Sequence, residues 1–129
     1  MIRILIADDS AFMRKVLTDL FKSQKDFEVV GTAINGRDAV ENVKKYHPDL
    51  LTLDVQMPVM DGIAATQEIR EIERKEKRKR LPIIAVTARA MFGDKERILE
   101  NKLDDYIAKP YNLNTVVETL NRYIDKKED

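Results

Sequence analysis

The residues best equipped for chemistry stand where apolar runs stop. Asp8 and Asp9 follow the run at residues 2–7, and Asp54 closes the one at residues 50–53. Thr87 closes residues 82–86 (PIIAV), and Lys109 closes residues 106–108 (YIA). Carboxylates crowded on one edge repel one another unless a cation compensates. A hard divalent ion does this, and Mg²⁺ suits few carboxylates, several waters and a phosphate. Lys109 adds a compact positive charge able to hold a phosphate oxygen. Thr87 adds a hydroxyl donor. Together these groups suit phosphoryl transfer, in which positioning and charge neutralisation carry most of the catalysis. A carboxylate is also a competent covalent acceptor.

The elements that position these groups follow from periodicity. The apolar runs at residues 2–7, 27–33, 50–54, 82–86 and 106–108 predict five short strands. Between them the spacing is helical. Ser10 reads as an N-cap, followed by Met13, Val16, Leu17, Leu20 and Phe21 on one face. Asn35-Gly36 signals a turn before Ala39, Val40, Val43 and Tyr46, and His47-Pro48 closes that helix. Asp61-Gly62 opens a third helix with Ala65, Ile69 and Ile72 on its apolar face. A weakly amphipathic helix is expected over residues 90–101, and a last one carries Leu113, Val116, Val117, Leu120 and Ile124. Five strands alternating with five helices argue a parallel sheet covered on both faces. In such a sheet ligands bind beyond the carboxyl ends of the strands. Asp8, Asp9, Asp54, Thr87 and Lys109 would all share that edge.

Bulk properties narrow the function classes. At 129 residues the chain has the size of one domain and can bury a core without staples. It contains no cysteine, which excludes disulfides, thiolate metal sites and cysteine nucleophiles. Basic and acidic residues balance at 23 each, so net charge gives no argument for nucleic acid or membrane binding. No apolar run approaches the roughly 18 residues of a membrane span, and the start of the chain is charged too early for a signal peptide. A cytoplasmic protein is the expectation.

The segments ADDS (7–10), LDVQMPVMDG (53–62), VTA (86–88) and DYIAKP (105–110) resemble the receiver domain of two-component response regulators, the CheY-like superfamily. The likeness runs from about Ile2 to Ile124. Residues up to about 66 are similar to chemotaxis methylesterase receivers, and those from about 81 to hybrid-kinase receivers. The resemblance implies a flavodoxin-like, doubly wound five-stranded sheet of order 2-1-3-4-5 with five helices, a domain over residues 1–125 and a charged tail at 126–129. It implies Asp54 as phosphoacceptor. Asp9, Asp54 and the Gln56 carbonyl would ligate Mg²⁺, with Asp8 acting mainly through water. Lys109, joined to Pro110 by a peptide expected to be cis, would hold the phosphoryl group. Thr87 and Tyr106 would be the switch, altering the face made by helix four, strand five and helix five. The implied partners are a histidine kinase or phosphotransfer protein and a downstream protein target, with no direct nucleic acid or membrane contact. A phosphorylation-linked homodimer stays open. So do a stand-alone regulator, an excised domain and a chimera.

Plainer readings stand beside these. An enzyme turning over an aspartyl-phosphate would want an acid two residues after its nucleophile, and Gln56 stands there. The activity expected is self-catalysed phosphoryl acceptance with slow loss, not substrate turnover. A receiver-like scaffold that is never phosphorylated is disfavoured by the intact set of five groups. His47, the one histidine, precedes proline at a helix end far from the site and reads as structural. Residues 70–80 (REIERKEKRKR) hold seven basic and three acidic residues. They read as a solvated, protruding helix end rather than a nucleic-acid patch. Lys102 stands where many receivers carry a helix-ending glycine, so Asn101 is the expected cap. Gln56 and Arg89 flank the phosphoryl position, where they would tune its hydrolysis.

Overall fold

Each apolar run becomes a strand, and each amphipathic stretch a helix lying across the sheet. The computed structural model describes residues 1–55, 57, 59–87, 94–108 and 113–128. The order is β1 (Ile2–Ala7), α1 (Ala11–Lys22), β2 (Phe27–Ala33), α2 (Gly36–Tyr46), β3 (Leu50–Asp54), α3 (Gly62–Glu76), β4 (Ile83–Thr87), α4 (Asp94–Glu100), β5 (Asp105–Ala108) and α5 (Leu113–Glu128). The strands form one sheet of order β2-β1-β3-β4-β5, with every pairing parallel. The resemblance implied this architecture. The last helix runs to Glu128, through most of the stretch expected as a charged tail. The expected start of the fourth helix, at residue 90, lies outside the described residues.

Central strands of a parallel sheet are covered on both faces and so can be apolar throughout. All five residues of β3 and of β4 are buried. Alternation divides them between two cores. Leu5, Leu51, Leu53, Ile83 and Ala85 pack against Val40 and Val43 of α2, Ile69 of α3 and Ile98 of α4. Ile4, Ile6, Leu50, Ile84 and Ile107 meet Leu17 and Phe21 of α1 and Val116 and Leu120 of α5. Phe21 meets Phe27 edge to face, with ring centres 5.8 Å apart. Each fully buried aliphatic or aromatic side chain here contributes roughly 1.5–3 kcal/mol.

Helix starts follow the sequence signals. Ser10, Asn35 and Asp61 accept bonds from the N–H groups of Met13, Asp38 and Ala64 at 3.2, 2.8 and 2.8 Å. Helix ends are less conventional. His47, Lys77 and Lys102 occupy the left-handed region at φ 48°, 55° and 72°, where glycine is usual. At the end of α4 Lys102 takes the left-handed position, and Asn101 caps the helix as expected, its Nδ2 donating to the Arg97 carbonyl at 2.7 Å.

The expectation for residues 70–80 holds only in part. Glu71, Arg74 and Lys75 are exposed and pair along α3, with Arg74 holding the Glu71 carboxyl below its usual range through their hydrogen bond. Arg70, by contrast, is buried. Its Nη1 donates to Glu73 and to the Leu81 carbonyl at 2.8 Å, and its Nη2 reaches Asp104 at 2.8 Å and the Lys102 carbonyl at 2.9 Å. Arg80 binds the other Asp104 oxygen at 3.0 Å. Helical spacing could not foresee this, because the acceptors come from two distant segments. The run is thus folded back and anchored rather than protruding.

Candidate functional site

The carboxyl edge of the sheet gathers the acidic residues. Asp8 extends β1 by one step, with its N–H donating to the Ala33 carbonyl at 3.0 Å. Its side chain, 1% exposed, accepts the Ser10 N–H at 2.9 Å, and its carbonyl accepts Arg14 Nη1 at 2.9 Å. Asp9 is exposed beside it. Asp54 ends β3 and is 6% exposed. The registers Ala7↔Leu53 and Asp54↔Val86 bring the ends of β1, β3 and β4 level. One carboxylate oxygen from each of Asp8, Asp9 and Asp54 lies within 4.8 Å of the others.

That spacing fits a single divalent ion. Oxygens on opposite sides of an ion with bonds of about 2.1 Å stand about 4.2 Å apart. Two of the three carboxylates are buried, where water screens their repulsion poorly. A cation relieves that repulsion, and the all-oxygen donor set suits a hard one.

Thr87 ends β4 next to Val86, the register partner of Asp54, and is 4% exposed. Tyr106, in β5 opposite Ala85, is half-buried against the core shared with α2, α3 and α4. Lys109, Gln56 and Arg89 lie outside the described residues, as does the Lys109–Pro110 peptide. The structure thus brings Asp8, Asp9 and Asp54 together and sets Thr87 on the adjoining strand end. His47 stands at the opposite edge, before β3, where its carbonyl accepts Arg3 Nη1 at 3.0 Å.

Supporting residues were missed by sequence reasoning. Gly62 donates its N–H to the Val55 carbonyl at 2.9 Å, and a Cβ there would fall 2.7 Å from the Asp54 carbonyl oxygen. Gly36 donates to the Met60 carbonyl at 2.9 Å, and a Cβ there would fall 2.1 Å from that oxygen. Both glycines let backbone close over the loop behind Asp54. The sequence showed them only as helix openings, because their contacts come from distant residues. Arg14, which holds the Asp8 carbonyl, carried no local signal.

Comparison with known proteins decides the family. The model of the response regulator receiver domain matches residues 4–121. The chain belongs to that family. The receiver is 40% identical to chemotaxis protein CheY of Thermotoga maritima, over 93% of this chain and 95% of that one. It is 45% identical over 111 residues to a protein-glutamate methylesterase/protein-glutamine glutaminase of Methanococcus maripaludis, covering 84% of this chain and 29% of the relative. The receiver spans about a third of the length of the methylesterases it matches. That likeness extends well beyond residue 66. Among solved structures, CheY in the CheX-CheY-BeF3-Mg²⁺ complex of Borrelia burgdorferi superposes with a TM-score of 0.86 at 30% identity, over 95% of this chain and 89% of that one. Among the described residues no helix is long and apolar enough to cross a membrane.

Proposed function

We propose that this receiver is a phosphorylation switch that takes a phosphoryl group onto Asp54. The observation that carries the reading is the meeting of Asp8, Asp9 and Asp54 oxygens within 4.8 Å at the end of β3. A carboxylate oxygen of Asp54 attacks the phosphorus of a phosphohistidine on a kinase or phosphotransfer protein, or of a small acyl phosphate. The new P–O bond forms as the bond to the donor's nitrogen or carboxylate oxygen breaks, and the donor keeps that electron pair. Asp9, Asp54 and the Gln56 carbonyl would hold Mg²⁺, with Asp8 acting mainly through water. The ion supplies charge neutralisation for the transferring oxygens. Lys109 binds a phosphoryl oxygen as a point charge.

Thr87 and Tyr106 carry the output. The Thr87 hydroxyl turns to donate to a phosphoryl oxygen, and the Tyr106 ring moves inward behind it. This changes the face of α4, β5 and α5, and with it the affinity for a downstream protein. The receiver itself spans residues 1–125 and works in the cytoplasm. It catalyses its own phosphorylation and slow dephosphorylation, and turns over no separate substrate.

The test is uptake of phosphate from acetyl phosphate with Mg²⁺, read by intact-protein mass. The wild type gains one phosphoryl group. Asp54→Asn gains none while its circular dichroism is unchanged, and chelation of the metal stops uptake. Labelling of Asp54→Asn to the wild-type extent would refute the assignment.

A further inference from the structure

Asp9 is the exposed member of the acidic trio. Among the described residues no hydrogen bond or ion pair holds its carboxylate. A ligand with so free a side chain is aimed by its backbone. Peptide groups are rigid planes, so the two that flank Asp9 set the direction in which its side chain leaves. Both are tied. The Ser10 N–H, from the peptide after Asp9, donates to the Asp8 carboxylate at 2.9 Å. The Asp8 carbonyl, from the peptide before Asp9, accepts Arg14 Nη1 at 2.9 Å.

The two ties differ in kind. The Asp8 carboxylate is itself part of the acidic trio, so a cation there competes with the Ser10 N–H for its oxygens. The Arg14 bond uses a carbonyl outside the trio and meets no such competition. It also spans six residues, from α1 back to the end of β1. Arg14 is the fourth residue of α1 and half-buried, near a helix end whose dipole disfavours cations. No acidic residue stands in that first turn to offset it, and among the described residues Arg14 forms no ion pair. Its one polar contact besides the helix backbone is the Asp8 carbonyl.

We infer that Arg14 is a positioning residue for the metal: by fixing the Asp8–Asp9 peptide it presents the Asp9 carboxylate to the divalent ion. The inference rests on the switch reading above, in which Asp9 ligates Mg²⁺. Groups that orient a metal ligand matter nearly as much as the ligand, and losing one typically costs roughly 10–100-fold in affinity. Charge alone would act the other way. A guanidinium beside three carboxylates repels an arriving cation, so removing it would tighten binding. The direction of the change therefore separates positioning from charge.

The test uses the full chain as Arg14→Met, which keeps an unbranched stem without the donor, and as Arg14→Lys, which keeps a donor. Circular dichroism and urea unfolding check that each is folded. Mg²⁺ alone is titrated into ¹⁵N-labelled protein and followed at the Asp9 and Ser10 amides. Arg14→Met should bind about tenfold more weakly than the wild type, and Arg14→Lys should recover part of the loss. Without metal, the order parameters of those two amides in Arg14→Met should fall from about 0.85 toward about 0.6. Phosphate uptake from acetyl phosphate should slow at low Mg²⁺ and recover at saturating Mg²⁺. A purely structural role would move the urea midpoint and none of these. Equal or tighter Mg²⁺ binding by Arg14→Met overturns the inference, as do unchanged order parameters. In either case a wild type that binds Mg²⁺ and is labelled at Asp54 leaves the switch reading standing. A wild type that does neither overturns that reading and the inference with it.

Discussion

Removing the Arg70 guanidinium tests whether the anchored basic run holds the corner between α4 and β5. In Arg70→Gln, Glu73 and Asp104 lose their shared buried cation, and the Lys102 and Leu81 carbonyls lose a donor. The three side chains are 7%, 12% and 15% exposed, so water replaces the lost bonds poorly. Breaking a buried ion pair by deleting one partner costs about 3–5 kcal/mol. Glu73 keeps the Leu81 N–H, and Asp104 keeps Arg80 and the Ile83 N–H. The expected loss is therefore at the low end, about 3 kcal/mol. With a urea slope near 2 kcal/mol per molar, the unfolding midpoint falls by about 1.5 M. Circular dichroism is the suitable probe, since the chain has no tryptophan.

Lys102 supplies the second arm of this test. A side chain at φ 72° costs about 1–2 kcal/mol relative to the right-handed region. Glycine removes that strain but gives back about 0.5–1 kcal/mol through unfolded-chain entropy. Lys102→Gly should therefore stabilise the protein by up to about 1.5 kcal/mol. The gain should shrink in the Arg70→Gln background, where the turn is free to leave the left-handed region. A loss under about 1 kcal/mol in Arg70→Gln would mean the cluster behaves like an exposed surface pair, and the reasoning would fail. So would destabilisation by Lys102→Gly.

Other outcomes follow from the same geometry. Burial, with the Asp105 carboxylate adding to it, pushes the Tyr123 phenol up to about 12. The folded state thus holds this proton more tightly than the unfolded one, and its contribution to stability is present below pH 10 and lost between about 10 and 12. Tyr123→Phe should flatten that part of the pH–stability curve, and an unchanged slope would contradict it. Gly36→Ala, which would drive a Cβ into the Met60 carbonyl, should lower stability by about 1–3 kcal/mol in urea unfolding. An unchanged midpoint would show that the loop yields freely. Gln56→Asn and Arg89→Ala should each change the rate at which phospho-Asp54 is lost, followed by mass after removal of the donor. Wild-type rates in both would remove them from the hydrolysis step.

The legible part of this protein is the part set by local pattern. Strand runs such as residues 82–86 and helix faces such as Met13 to Phe21 are written in short-range periodicity, so the alternation of elements could be read directly. The acidic site was legible for a related reason. Asp8 and Asp54 stand buried at the ends of strand runs, where a carboxylate is costly unless something compensates it, and Asp9 follows Asp8 directly. Their meeting within 4.8 Å then follows from strand register. Sheet order was not legible from spacing. It entered through the resemblance, because nothing in the run at residues 50–54 says that β3 sits between β1 and β4.

What escaped the sequence depends on contacts between distant segments. A lone arginine in a charged run looks solvated until Lys102 and Asp104 fold back onto it. A glycine at a helix start looks like a turn signal until Met60 closes against it. These two cases lie at opposite ends of the sheet. At the carboxyl edge, Gly36 and Gly62 let backbone press against the loop that follows Asp54. At the amino edge, Arg70 ties α3 to the turn before β5, the strand that carries Tyr106. Strain at Lys102 and buried charge at Arg70 are each costly alone. Together they set the start of β5, so the corner is held by a long-range bond where a glycine would need none.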